Sequence, residues 1–168
     1  YIQGDYNESL LTYKRSLEQL NSLKELGQVS LAQALTDGLD AIENAATADL
    51  SIAENAARLA VSIAPNSQQA KDLAQRAALL PQVIEQLQAG DRFLASKQLE
   101  AAKSAYQQAA NQDSQHLRAA EALDSIEKTI IRERFRGYMS TGFKALDQDN
   151  FVAANHAFNS ARGLYNSD

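Results

Sequence analysis

The chemistry available to this chain is set first by His116 and His156, the only two histidines, which stand 40 residues apart. A metal centre needs three or four converging ligands, and a nucleophile needs an oriented base beside it. With no cysteine anywhere and no His-Glu-x-x-His spacing, the pair predicts neither a metal site nor an enzyme, and both residues are expected at the surface or at helix ends. Asp147-Gln148-Asp149-Asn150 opens like a calcium loop, but the sixth position is Val152 where glycine is needed and the twelfth is Phe158 where glutamate is needed. A turn between helices is the expected structure there. Asn7-Glu8-Ser9 is a formal glycosylation sequon placed at an expected helix start. The seven glycines are scattered and none precedes a Lys-Ser or Lys-Thr pair, so no phosphate loop is expected and no cofactor is implied.

One cluster is basic. Lys128, Arg132 and Arg136 recur every four residues along Lys128 to Arg136, a stripe that could clamp a carboxylate tail or an acidic peptide. Glu127 and Glu133 lie among them, and the plainer expectation is a solvated helix face with internal ion pairs.

The elements that would position these groups are helices. Hydrophobic residues make up 45% of 168 positions, enough for a core, while proline occurs twice and alanine, leucine, glutamine and glutamate dominate. The formal charge of −5 argues against a phosphate backbone as partner. The longest nearly apolar stretch, Ala56 to Ala64, is interrupted by Arg58 and is much shorter than the ~20 residues of a membrane span, so no membrane insertion is expected. The chain opens on Tyr1 and its only methionine is Met139, from which a soluble piece of a longer chain is expected, with the targeting information elsewhere. Composition suggests a bacterial source, with periplasm and cytoplasm equally open.

Four segments share one register. Asp5-Tyr6-Asn7-Glu8-Ser9 leads to Tyr13 and Ser16, and Asp49-Leu50-Ser51-Ile52-Ala53 leads to Ala57 and Ala60. Gln98-Leu99-Glu100-Ala101-Ala102 leads to Tyr106 and Ala109, and Asn150-Phe151-Val152-Ala153-Ala154 leads to Phe158 and Ala161. Each gives a polar turn residue, a bulky apolar residue and then one helical face. Ala41, Gly90 and Gly142 recur nine residues before the bulky residue, so a second helix should precede each turn.

This pattern resembles the tetratricopeptide repeat, with Ala41, Ala53 and Ala60, then Gly90, Ala102 and Ala109, then Gly142, Ala154 and Ala161 at the family's small positions. The resemblance implies an all-α, right-handed solenoid of antiparallel helix pairs, in which small residues let two helices approach closely. The chain departs from the family in its helix-ending proline, present as Pro65 but replaced by Ser114 and Asn166, and in the usual tryptophan, replaced by Asp37, Gln86 and Tyr138.

The units are also long. Tyr6, Leu50, Leu99 and Phe151 are separated by 44, 49 and 52 residues, against ~34 in a standard unit. The surplus is helix-like: Leu73, Ala77, Leu80, Ile84 and Leu87, and again Leu117, Ala120, Leu123, Ile126 and Ile130, follow three-to-four spacing. Extra turns at the start of each first helix are therefore expected, with Ser67 and Ser114 as caps, Gly27 as a helix stop and Pro81 starting, kinking or breaking a helix. The expected organisation is one repeat domain over 1–168, with a half unit at about 1–26 and units at about 31–66, 67–114 and 115–168.

The resemblance also implies a concave groove lined by first-helix positions. These are Leu35, Gly38, Ile42, Ala45 and Ala46; then Ile84, Leu87, Asp91, Leu94 and Ala95; then Arg136, Met139, Phe143, Leu146 and Asp147. Most are apolar, so the face should be covered, either by a partner or by the chain's own core. The expected function is a non-catalytic scaffold that binds a partner protein or peptide through Leu87, Asp91, Leu94, Met139, Phe143 and Leu146, with Arg132 and Arg136 orienting it. A homodimer is a further expectation, because uncapped repeats expose apolar surface. The alternative is a spacer or oligomerisation arm of a larger bacterial envelope protein.

Overall fold

A computed structural model describes the backbone of residues 2–165 and the side chains of residues 8–165. The expectations placed on Tyr1 and on Asn166 to Asp168 lie outside the described residues. Among those residues the protein is all-α, with six helices that alternate long and short: α1 (Ile2–Asn44), α2 (Leu50–Ile63), α3 (Gln68–Ala95), α4 (Leu99–Gln112), α5 (Leu117–Asp147) and α6 (Phe151–Gly163). A 3-10 turn, Thr47–Asp49, leads into α2. The short helices begin on Leu50, Leu99 and Phe151, the bulky residues of the repeated motif, and the surplus residues form the extra turns of α3 and α5.

Two expected punctuation marks are overridden. Gly27 does not stop a helix; α1 runs unbroken for 43 residues, so the Asp5 to Ser9 segment lies inside it and not at a turn. A single interior glycine costs only ~1 kcal/mol relative to alanine, less than abandoning the hydrogen bonds of a turn. Ser114 does not cap α5; His116 does, its Nδ1 accepting from the Ala119 amide at 3.3 Å. Ser67 does sit at the head of α3, its Oγ accepting from Ala70 at 3.4 Å. Pro81 lies within α3 without ending it, leaving the Ala77 carbonyl without its intrahelical donor.

The chain divides into two compact units, residues 1–81 and 82–168, and α3 contributes to both. In the first, α1 packs on α2 through Ala34, Ala41, Ala53, Ala56, Ala57 and Ala60, all buried. The first half of α3 joins them: Gly38 lies against Leu73 and Ala56, and Arg76 pairs with Glu43. In the second unit α4 and α6 both pack on α5, burying Ala102, Ala105, Ala109, Ile126, Ile130, Ala154, Ala157 and Ala161.

The small-residue seam takes a form that motif matching does not convey. Gly90 and Gly142 do not simply face alanine. A Cβ on Gly90 would collide with the ring of Tyr106, and one on Gly142 with the ring of Phe158. Each glycine is the seat of an aromatic ring sixteen residues later, which α4 or α6 brings back on the antiparallel return.

The turns that reverse the chain are also alike. Before α4, the Gln98 amide donates to Phe93 and the Lys97 amide to Leu94, with Lys97 at φ 59°. Before α6, Asn150 donates to Ala145 and Asp149 to Leu146, with Asp149 at φ 57°. Both are Schellman turns, which close the orphan carbonyls of a helix end through one left-handed residue. The Asp147 to Asn150 segment is thus a turn, and Asn150 goes on to cap α6 through the Ala153 amide.

Candidate protein-binding surface

The chemically capable residues divide into those the fold consumes and those it leaves open. His116 is buried at the head of α5, so it is a helix-end residue but not a surface one. His156 is exposed on α6. No group of three His, Cys, Asp or Glu among the described residues could hold a metal ion. No helix among them is long and apolar enough to cross a membrane.

Asp91, expected in the groove, is an internal tie. Its Oδ1 accepts from the Tyr106 hydroxyl at 2.8 Å and its Oδ2 from Arg118 at 3.1 Å, joining α3, α4 and α5 within the second unit. Burial first, then the hydrogen bond to Asp91 and the carboxylate's charge, push the Tyr106 phenol up to about 12, with Arg118 pulling slightly the other way.

The remaining first-helix positions separate cleanly. Ile42, Ala45, Ile84 and Leu87 are core, Leu87 being 1% exposed, so Leu87 cannot serve as a contact for a partner. Leu35 is half-buried and Gly38 is covered by Leu73. Leu94 near the end of α3, and Phe143 and Leu146 near the end of α5, stay exposed, with Met139 half-buried one turn before Phe143. Phe143 meets Phe158 edge to face at 5.4 Å, which fixes its ring while leaving 54% of the residue open.

The basic stripe is largely a salted helix face. Lys128 pairs with Asp124 at 2.6 Å and Arg136 with Glu133 at 2.9 Å, both within α5, and Arg134 reaches Glu100 of α4 at 2.6 Å. Exposed pairs of this kind contribute under ~1 kcal/mol each. Arg132 and Arg136 are exposed and stand on the same helix as Met139 and Phe143.

Sequence reasoning missed the largest apolar exposure. On α1 between Leu10 and Val29, Leu10, Leu11, Tyr13, Leu17, Leu20, Leu23, Leu26 and Val29 are all exposed. The signal was present as spacing, but the expected stop at Gly27 assigned these residues to a separate packed helix. No family model, no curated protein and no solved structure matches this chain, so the repeat reading rests on its own residues alone.

Proposed function

We propose that this chain is a protein-interaction scaffold, a right-handed array of tetratricopeptide-like helix pairs that presents the ends of its long helices to a partner helix or peptide. The observation that carries the reading is the set of apolar side chains left open near the ends of the long helices, the repeat-equivalent Leu94 on α3 and Leu146 on α5 together with Phe143, with Met139 beside them. Two side chains capable of catalysis are spent on structure instead: His116 on a helix cap and Asp91 on an inter-helix tie. Arg132 and Arg136 would orient an acidic or carboxylate-bearing partner along α5. No cofactor is required.

The test is Met139→Glu with Phe143→Glu in one chain. Captured partners from a matched lysate should fall at least about tenfold while circular dichroism stays helical, since a charge in an apolar contact costs more than ~1.4 kcal/mol. Undiminished capture by the folded variant would refute it. A second reading, a spacer or oligomerisation arm of a bacterial envelope protein, is favoured by the exposed stripe on α1. The same variant separates the two, because an arm would leave the α5 surface idle and lose no partner from it.

A further inference from the structure

One seam runs along α1 from Leu10 to Ala41. Leu10, Tyr13, Leu17, Leu20, Lys24, Gly27, Leu31, Ala34, Gly38 and Ala41 follow one another at alternating intervals of three and four, the heptad spacing that keeps a stripe on one side of a supercoiled helix. From Ala34 on it is buried under α2 and α3, where the seam residues are small. Its first half carries large residues and is open: Leu10 is 41% exposed, Tyr13 65%, Leu17 45% and Leu20 62%. The 14 residues of α2 reach only about 21 Å along a helix about 65 Å long, so α2 cannot cover them.

Heptad spacing selects another helix as the occupant, and the charges select which one. Residues 8 to 26 carry three acids, Glu8, Glu18 and Glu25, and three bases, Lys14, Arg15 and Lys24, so this segment is neutral in a chain of charge −5. Two copies can meet here without the repulsion the rest of the chain imposes. Run antiparallel about Arg15, the stripe matches itself, with Leu10 level with the partner's Leu20 and Tyr13 level with the partner's Leu17. In that register Lys14, flanking the seam, lies within about 3 Å along the axis of the partner's Glu18, and the two helix dipoles oppose. We infer that the first half of α1 is a homodimerisation surface that pairs with the same segment of a second copy as a short antiparallel coiled coil. Four seam positions make a thin interface, so the dimer is weak, with Kd of order micromolar.

The test is sedimentation velocity on the 168-residue chain from about 5 to 500 µM, a range that brackets a micromolar Kd. A monomer–dimer equilibrium is expected, and Leu17→Glu should abolish it with helicity unchanged. Lys14→Glu gathers four acids about the two-fold axis and should weaken pairing at least about tenfold, while adding Glu18→Lys restores it. Because the chain has no cysteine, Ser16→Cys should cross-link to itself on oxidation and Leu20→Cys should not. A monomer throughout the range, a dimer indifferent to Leu17→Glu and Lys14→Glu, self-cross-linking of Leu20→Cys, or a monomer that takes an unrelated helix on this face would each overturn the inference.

Discussion

The hydroxyl of Tyr106 donates to Asp91 at 2.8 Å while its ring rests on the neighbouring Gly90, so one side chain is held at both ends by adjacent residues of α3. The missing side chain at Gly90 makes room for the ring, and the carboxylate one residue on satisfies its polar tip. A ring buried this way contributes its area without leaving an unpaired donor.

Gly90→Ala should therefore destabilise by about 1–3 kcal/mol through overpacking against that ring, and Gly142→Ala should do the same against Phe158. Gly27 and Gly137 have open space where a Cβ would stand, and alanine at either should stabilise by about 0.5–1 kcal/mol. Urea midpoints of the four variants check both signs. A Gly90→Ala chain as stable as the parent would mean that Tyr106 is free to move aside.

The Tyr106 phenol supplies a pH dependence. Its value in the fold, about 12, lies above the 10.0 of a free tyrosine, so the fold favours the neutral form. The stability it contributes is fully present below pH 10 and is lost as pH rises from 10 towards about 12. Tyr106→Phe should remove that part of the alkaline slope, measured as urea midpoints at stepped pH. One of the six tyrosines should also ionise late in a phenolate absorbance titration, and in the variant that late step should vanish.

Lys97 and Asp149 occupy the left-handed position of their turns without being glycine. Replacing either with glycine relieves the Cβ crowding of that conformation and should raise stability by up to about 1 kcal/mol. Thermal melts of the single variants and the pair should show additive gains, since the turns lie 52 residues apart in sequence and serve different helices.

His116→Ala removes the cap of α5 together with a buried ring, and should cost more than the ~0.5–2 kcal/mol of a cap alone. Asn at this position keeps an acceptor for the Ala119 amide and should recover part of the loss. If the two variants were equally unstable, packing and not capping would be what His116 supplies.

Much of this architecture was legible because helices advertise themselves. The starts of α2, α4 and α6 follow from polar-then-bulky steps at Leu50, Leu99 and Phe151, and the alanine faces follow from their spacing. The chain's handling of exceptions was not legible. Gly27 and Pro81 break helices in isolation, yet neighbouring turns carry α1 and α3 across them. Ser114 is the better cap by residue type, and His116 prevails because the chain buries it at the first turn of α5. Leu87 and Leu94 share a face and differ only in how far along α3 the neighbouring helices reach, which hydrophobicity does not encode.

Three features recur at one interval: the left-handed turn residue at Lys97 and Asp149, the ring seat at Gly90 and Gly142, and the ring at Tyr106 and Phe158, each pair 52 residues apart. The joint is modular. Excising residues 98–149 would splice Lys97 to Asn150 and return Phe158 to a place sixteen residues after Gly90, so that one cassette's glycine would receive the other's ring. A chain shortened by that one cassette would keep the chemistry of this corner.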